Sequence, residues 1–346
     1  MATLKEIAER VGVSISTVSR VINQNDSRRI SEDTKQKIWK AAKELNYSST
    51  GRTRSSRAKQ AKDSSSLTKS AVGCILALQD NKYNHPYFSP IIQGIEAKLL
   101  EKGISLAFLH TQTELHNEDV FNSMLEVPNL QGVICIEGLS NDMFKRLKER
   151  IPFIVAIDVN DVDIPVVTYD RVAAARMAVG YLIEKGHTRI GFIGGVGLSG
   201  SLQREKRYSG FRRALDEHGL ELQEQWVINA NWDADESYRK MKGLLDLPER
   251  PTAMFSASDM LAIAAMRAVT EAGYSIPADM SFIGIDDIEF SKYTTPPLTT
   301  VHVPKYEMGY AAAKILLDSL EDAYPFAFRM QIPYQLKQRD SVSRMQ

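Results

Sequence analysis

The sequence predicts a small all-α head, built as a helix-turn-helix, followed by an α/β core of two doubly wound parallel-sheet subdomains. Three observations carry this. Residues 1–63 hold 14 Lys and Arg against 7 Asp and Glu, a net +7, while the rest of the 346 residues carries −7, so the overall charge of zero hides a basic head on an acidic body. Between Ser48 and Ser70 the composition collapses to Ser, Thr, Arg and Lys with one large aliphatic residue, Leu67, a stretch that cannot bury a core. Beyond Ser70, short apolar runs alternate with amphipathic helical stretches, the pattern of parallel strands covered on both faces. About 275 residues leave room for two such sheets in tandem.

In the head, Thr3-Leu-Lys-Glu6 reads as a capping box opening a first helix whose apolar stripe is Leu4, Ile7, Ala8 and Val11. Gly12 breaks it, and Ser14 caps a second helix. On that helix Val18, Val21 and Ile22 fall on one side, leaving Ile15, Ser16, Thr17, Ser19 and Arg20 largely on the other. Hydroxyls, a branched methyl and a guanidinium suit a major groove, where they meet bases, thymine methyls and phosphates. A Ser/Thr-rich face is more often only solvated, so the basic charge and the helix–turn–helix spacing are what favour DNA. Ser31 caps a third helix with Ile38, Ala41, Ala42 and Leu45 inward.

The body's apolar runs include Val72–Leu78, Ser105–Leu109, Val133–Ile136, Phe153–Ile157, Ile190–Ile193, Trp226–Ile228, Ala253–Phe255 and Phe282–Ile285. Helical stretches lie near 88–102, 141–150, 171–185, 203–218, 235–246, 258–272 and 305–319. Gly195-Val-Gly197-Leu-Ser-Gly200 matches G-x-G-x-x-G after a strand, but the next strand ends Ile-Asn-Ala-Asn with no carboxylate before Asp233. A dinucleotide site needs that acid, so the glycines instead shape a loop. The six histidines show no metal spacing, no G-x-S-x-G elbow occurs, and Cys74 and Cys135 sit singly in apolar runs. No catalytic residue, metal or cofactor is expected. No signal peptide and no membrane-length apolar run appears, which points to the cytoplasm.

Ligands in open α/β sheets bind at the carboxyl ends of strands. Asp158 and Asp286 end two strands and suit sugar hydroxyls; Arg207 offers a donor fork, and Trp232 a flat face for a sugar's C–H side. Each has an ordinary structural rival: a cap, an ion pair, a packed indole.

The run from Thr3 to Asn23, with Val-Ser-Ile-Ser-Thr-Val-Ser-Arg-Val-Ile-Asn at its centre and Leu45-Asn-Tyr47 closing the head, closely resembles the lactose/galactose repressor (LacI/GalR) family. The resemblance implies that Ile15, Ser16 and Arg20 read bases while Thr3, Thr17, Ser19, Asn23 and Tyr47 position the backbone. Arg28 and Arg29, in a loop longer than the lactose repressor's, become a candidate phosphate clamp. In the family a hinge helix pushes a leucine into the minor groove; here Ser56 stands at that position, so Arg52, Arg54, Arg57 and Lys59 are expected to bind in its place.

The resemblance further implies a periplasmic-binding-protein-like core: head 1–47, hinge 48–70, core 71–346. Subdomain one is expected over 71–160 and 300–322, subdomain two over 161–297 and 323–346. Asp158, Arg207, Trp232, Ser258 and Asp286 fall at the family's effector positions, with Tyr87 and Phe88 on the first subdomain's wall. Ser258 replaces the asparagine of lactose-type repressors, and Ile136 stands at another polar cleft position. Asn84-His-Pro-Tyr-Phe88 and Asp158-Val-Asn160 look more like the galactose/evolved-β-galactosidase repressor branch than the purine branch. The expectation is a cytoplasmic homodimeric repressor of sugar-utilisation genes, binding a near-palindromic double-stranded operator under control of a small sugar, with a galactoside as the guess. A terminal leucine heptad is lacking, which argues against a tetramer. The rival is a sugar-binding or sugar-metabolising α/β protein whose basic head is incidental.

Overall fold

The structure is a computed structural model and describes residues 4–22, 30–44, 70–77, 83–159, 163–197, 200–321, 324 and 326–345. The chain divides into two compact units, residues 1–64 and 65–346.

In the first unit, α1 (Leu4–Val11), α2 (Ile15–Ile22) and α3 (Glu32–Glu44) enclose a core of Ile7, Ala8, Val18, Val21, Ile38, Ala41 and Ala42. Gly12 turns the chain out of α1 at φ +72°, a conformation in which a side chain would be strained. The Ser14 hydroxyl accepts from the Thr17 N–H at 3.1 Å, and the Ser31 hydroxyl accepts from Thr34 at 3.3 Å. Both expected caps therefore satisfy a free N–H of the helix they open.

The second unit holds two six-stranded sheets. In the first, β1 (Ala71–Leu76), β2 (Leu106–Thr111), β3 (Leu130–Ile136), β4 (Phe153–Ile157), β5 (Val166–Thr168) and β11 (Arg329–Gln331) lie in the order β2-β1-β3-β4-β5-β11, all parallel. In the second, β6 (Ile190–Gly194), β7 (Val227–Asn229), β8 (Ala253–Ser256), β9 (Ser281–Asp286), β10 (Thr299–His302) and β12 (Gln335–Lys337) lie in the order β7-β6-β8-β9-β10-β12. Among the described strands only β12 runs antiparallel, on β10.

Side-chain alternation sends Val72, Cys74 and Leu76 to one face of β1 and Ile75 to the other. The first face is covered by α4 (Phe88–Leu100) and α12 (Lys305–Leu320), the second by α5 (Gln112–Leu115), α6 (Glu118–Leu125) and α7 (Asn141–Arg150). On the second sheet, α8 (Arg171–Glu184) and α9 (Lys206–Glu217) cover one face, and α10 (Ala234–Leu245) and α11 (Asp259–Glu271) the other. Cys74 and Cys135 are buried free thiols; burial pushes both up, Cys135 to about 12, so neither is a reactive thiolate.

The strand and helix stretches expected along the body are present, with ends shifted by a few residues. The subdomain bounds differ. Strand β5 belongs to the first sheet, so the first crossing follows residue 168 and not 160. Strand β10 belongs to the second sheet, so the return comes after residue 302 and not at 300. Strand β11 adds to the first sheet, although 323–346 was assigned wholly to the second subdomain. All three strands have only three or four residues, too short to carry a periodic signal.

Candidate functional site

Both sheets reverse their strand order beside a central strand, which opens a crevice at the carboxyl ends. In the first subdomain Tyr87 and Phe88 follow β1, Glu137 follows β3 and Asp158 follows β4. In the second, Gly195 follows β6, Trp232 follows β7, Ser258 follows β8 and Asp286 closes β9. Glu137, Asp158, Trp232 and Asp286 all have positive φ, as backbones turning sharply off a strand end do. The structure thus places all seven sequence-predicted effector residues at or just past strand ends, or at helix starts.

Asp158 departs from its expected role as an open acceptor. Its side chain is 1% exposed and already saturated. Thr168 donates to Oδ1 at 2.6 Å, Tyr87 donates to Oδ2 at 3.3 Å, and Arg171 Nη2 reaches Oδ2 at 3.0 Å. Arg171 Nη2 also donates to Glu137 Oε1 at 2.5 Å. Burial pulls the guanidinium's pKa down, but the two carboxylates outweigh it and keep Arg171 charged. Glu137, Thr168 and Arg171 were not singled out from sequence, although Glu137 follows a strand just as Asp158 does.

Arg207 is buried, donating from Nε to Glu205 Oε1 at 2.8 Å and from Nη1 to the Ala257 carbonyl at 3.2 Å. Its guanidinium lies 4.3 Å from the centre of the Trp232 ring. A Cβ built on Gly195 would come within 2.7 Å of the same indole. Arg207 therefore covers one face of the Trp232 indole, while the loop at Gly195 meets its Cδ1–Nε1 edge. This also gives the G-x-G-x-x-G stretch a physical reason: the loop passes too close to the indole for a side chain at Gly195.

Asp286 is 3% exposed, and its Oδ1 has no hydrogen-bond partner among the described residues. Burial pushes its carboxyl up to about 6, against the pull of Arg207, Lys305 and the Ser258 hydroxyl. Behind it Asp259, missed from sequence, accepts from Ile288 N–H at 3.1 Å, Ser291 Oγ at 2.6 Å and Thr300 Oγ1 at 2.6 Å. Burial and the neighbouring Asp286 charge push Asp259 to about 8. The buried Lys305 ammonium donates to the carbonyls of Asp286, Asp287 and Val303. It ties the end of β9 to the start of α12, across the second crossing.

Two other buried polar atoms lack partners here: the Tyr169 hydroxyl and Arg171 Nε. Burial raises the Tyr169 hydroxyl's pKa, against the pull of the Arg171 and Arg207 guanidiniums and with a smaller push from the Asp286 and Asp158 carboxylates. A surface groove of about 960 Å³ between α8, α9 and Tyr334–Gln338 contains none of the predicted effector residues.

In the head, Ile15 is 49% exposed at the start of α2, and Ser14 and Thr17 share a hydroxyl hydrogen bond of 2.8 Å. Ser16, Ser19 and Arg20 lie on the α2 backbone, but their side chains are outside the described residues. So are Thr3, Asn23, Arg28, Arg29, Tyr47, Arg54, Ser56 and Arg57 altogether. Among the described residues no group of His, Cys, Asp and Glu could hold a metal ion, and no helix is long and apolar enough to cross a membrane.

A helix-turn-helix head joined to a body whose polar strand ends converge in an interdomain crevice defines a ligand-controlled DNA-binding regulator. Residues 3–49 match the family described as bacterial regulatory proteins, lacI family, and residues 179–342 match a periplasmic binding protein-like domain. The chain is 32% identical over 355 residues to the HTH-type transcriptional repressor PurR of Proteus mirabilis, covering 99% of this chain and 97% of that one. It is 34% identical over 328 residues to PurR of Actinobacillus pleuropneumoniae, covering 93% and 92%. A solved transcriptional regulator CelR–cellobiose complex superposes with a TM-score of 0.70 at 26% identity, covering 99% of this chain and 100% of that chain. The lac repressor dimer bound to operator and the anti-inducer ONPF shares the fold, with a TM-score of 0.67 at 24% identity over 99% of each chain. The chain belongs to the lacI family of bacterial regulatory proteins. It is a DNA-binding transcriptional repressor and not an enzyme.

Proposed function

We propose that this repressor controls sugar-utilisation genes from the cytoplasm, and that its effector is a small neutral sugar, a galactoside first among them. The observation that carries this is the set of three buried polar atoms without a partner among the described residues, each at or just past a strand's carboxyl end: an acceptor on Asp286, a donor on Arg171 and a hydroxyl on Tyr169. An unmet buried polar atom is costly, so a ligand supplying complementary hydroxyls gains where water cannot follow. Arg171 is matched by Glu137 and Asp158, and Arg207 by Glu205, so neither of these guanidiniums is left open to an anionic effector. Tyr87 and Phe88, packed edge-on with ring centres 5.1 Å apart, supply an apolar wall. The CelR neighbour, solved with cellobiose, lends the same reading support.

On the DNA side, Ile15 and the Ser14–Thr17 hydroxyls support base and backbone contact by α2 in a major groove, together with Ser16, Ser19 and Arg20. Two heads related by a two-fold axis would read a near-palindromic operator. Effector binding changes cleft closure and with it the separation of the heads. Linkage makes the coupling reciprocal: a sugar that lowers operator affinity must itself bind more weakly to the operator complex.

The test is a thermal-shift screen of the full-length protein against free monosaccharides, disaccharides, their phosphates and nucleobases, since a ligand raises the melting point of the fold it binds. A neutral saccharide, galactosides included, should give the largest shift. A shift confined to phosphorylated sugars or nucleobases would refute the reading.

A further inference from the structure

We propose that Arg171 is the positioning residue that bridges the two halves of the cleft and sets their closure, an inference that deepens the effector-site reading above. Its Cα belongs to α8, which packs on α9 and on β8, β9 and β10 of the second sheet. Its guanidinium reaches Glu137 and Asp158, at the ends of β3 and β4 of the first. One side chain therefore carries an ion pair from one subdomain into the other, right after the first crossing of the chain.

The local design is otherwise unfavourable, which is what makes it informative. Asp170 caps α8 by accepting from the Ala173 N–H at 2.9 Å, leaving Arg171 as the first residue of the helix. A cation at a helix N-terminus opposes the helix dipole. A side chain only 10% exposed, with Nε unpartnered, adds a desolvation cost. Two carboxylates on the opposite subdomain, one of them 1% exposed, offset both. Separating the subdomains would leave Asp158 with Thr168 and Tyr87 alone and place a bare guanidinium in the gap. Breaking a buried pair is far costlier than never having made it, so closure and the Arg171 bridge stand or fall together.

The same geometry reassigns Asp158. It is the anchor of the bridge, and a ligand entering the cleft meets Arg171 in front of it. A sugar oxygen accepting from Arg171 Nε would lock the bridge in place. A ligand that drew the guanidinium away would release it. Either way, the arginine converts occupancy into a change of domain angle.

The experiment uses the full-length protein with no sugar present. Spin labels at Thr113→Cys and Asp235→Cys mark exposed sites just beyond the outer strands β2 and β7 of the two sheets. The native cysteines, buried and protonated, stay unlabelled. Arg171→Gln should shift the interlabel distance distribution to longer, broader values. Glu137→Gln, which spares the arginine, should shift it the same way by less. Adding Glu137→Gln and Asp158→Asn to Arg171→Gln should widen it no further than Arg171→Gln alone, because all three remove one interaction. An unchanged distribution in both single variants would overturn the proposal, as would a triple variant much wider than Arg171→Gln. A chain that behaves as expected here yet binds no saccharide would refute only the effector reading.

Discussion

Asp286→Asn tests the electrostatics of the cleft directly. In the fold, burial raises this carboxyl from 3.8 to about 6, and Asp259 beside it rises to about 8. A carboxyl with a raised folded value stabilises the fold fully below the unfolded value. That contribution is lost as pH climbs through the folded one. Between pH 4 and pH 6 the Asp286–Asp259 pair should therefore cost the fold stability on the order of 3 kcal/mol as it first ionises, at about 1.4 kcal/mol per tenfold change in proton concentration. An asparagine of the same shape has no charge to bury and skips that loss. Urea unfolding midpoints at pH 4.5 and pH 7.5 read the difference. The variant should be close to wild type at the lower pH and clearly more stable at the higher one, while its response to sugar disappears because Oδ1 no longer accepts as a carboxylate. A difference between variant and wild type that is the same at both pH values would refute the argument. So would a variant that keeps full sugar response.

The other substitutions probe separate links. Ser14→Ala removes the cap on α2 and should cost the head about 1 kcal/mol, seen as a lower midpoint for the helical head by hydrogen exchange, with operator affinity falling alongside. Gly195→Ala places a methyl against the Trp232 indole and should weaken effector binding by calorimetry while leaving the head's DNA affinity intact. Phe192→Ala empties the centre of a buried aromatic cluster with Tyr208, Phe211 and Phe255, ring centres 5.0 to 5.8 Å away, and should destabilise the body by about 3–5 kcal/mol in urea.

The head and the alternation of strands and helices were legible because each rests on local signals: a cap, a glycine break, a period of two or 3.6. Strands β5, β10 and β11 were not, because three or four residues at a sheet's margin owe their pairing to the rest of the sheet. The cleft divided along the same line. Asp158 and Asp286 stood out as acids ending apolar runs, but what each does depends on neighbours far away in sequence. Asp158 is spoken for by Arg171, Thr168 and Tyr87, whereas Asp286 keeps an open oxygen. Trp232 reads from sequence as a flat platform, and that Arg207 covers one of its faces depends on a neighbour 25 residues earlier. Glu137, Arg171, Asp259 and Lys305 carry charge into the interior only because partners from other elements meet them there, and no spacing announces that.

Binding of the full-length protein to labelled duplex from the region upstream of its own gene tests the central claim most directly. The titration is run at two salt concentrations, with and without the saccharide that most raises the melting point. The account predicts preference for a near-palindromic fragment over its scrambled copy, steep weakening with salt, and a shift in affinity on adding the saccharide. Equal binding to both fragments, or an affinity that no saccharide moves, would contradict it.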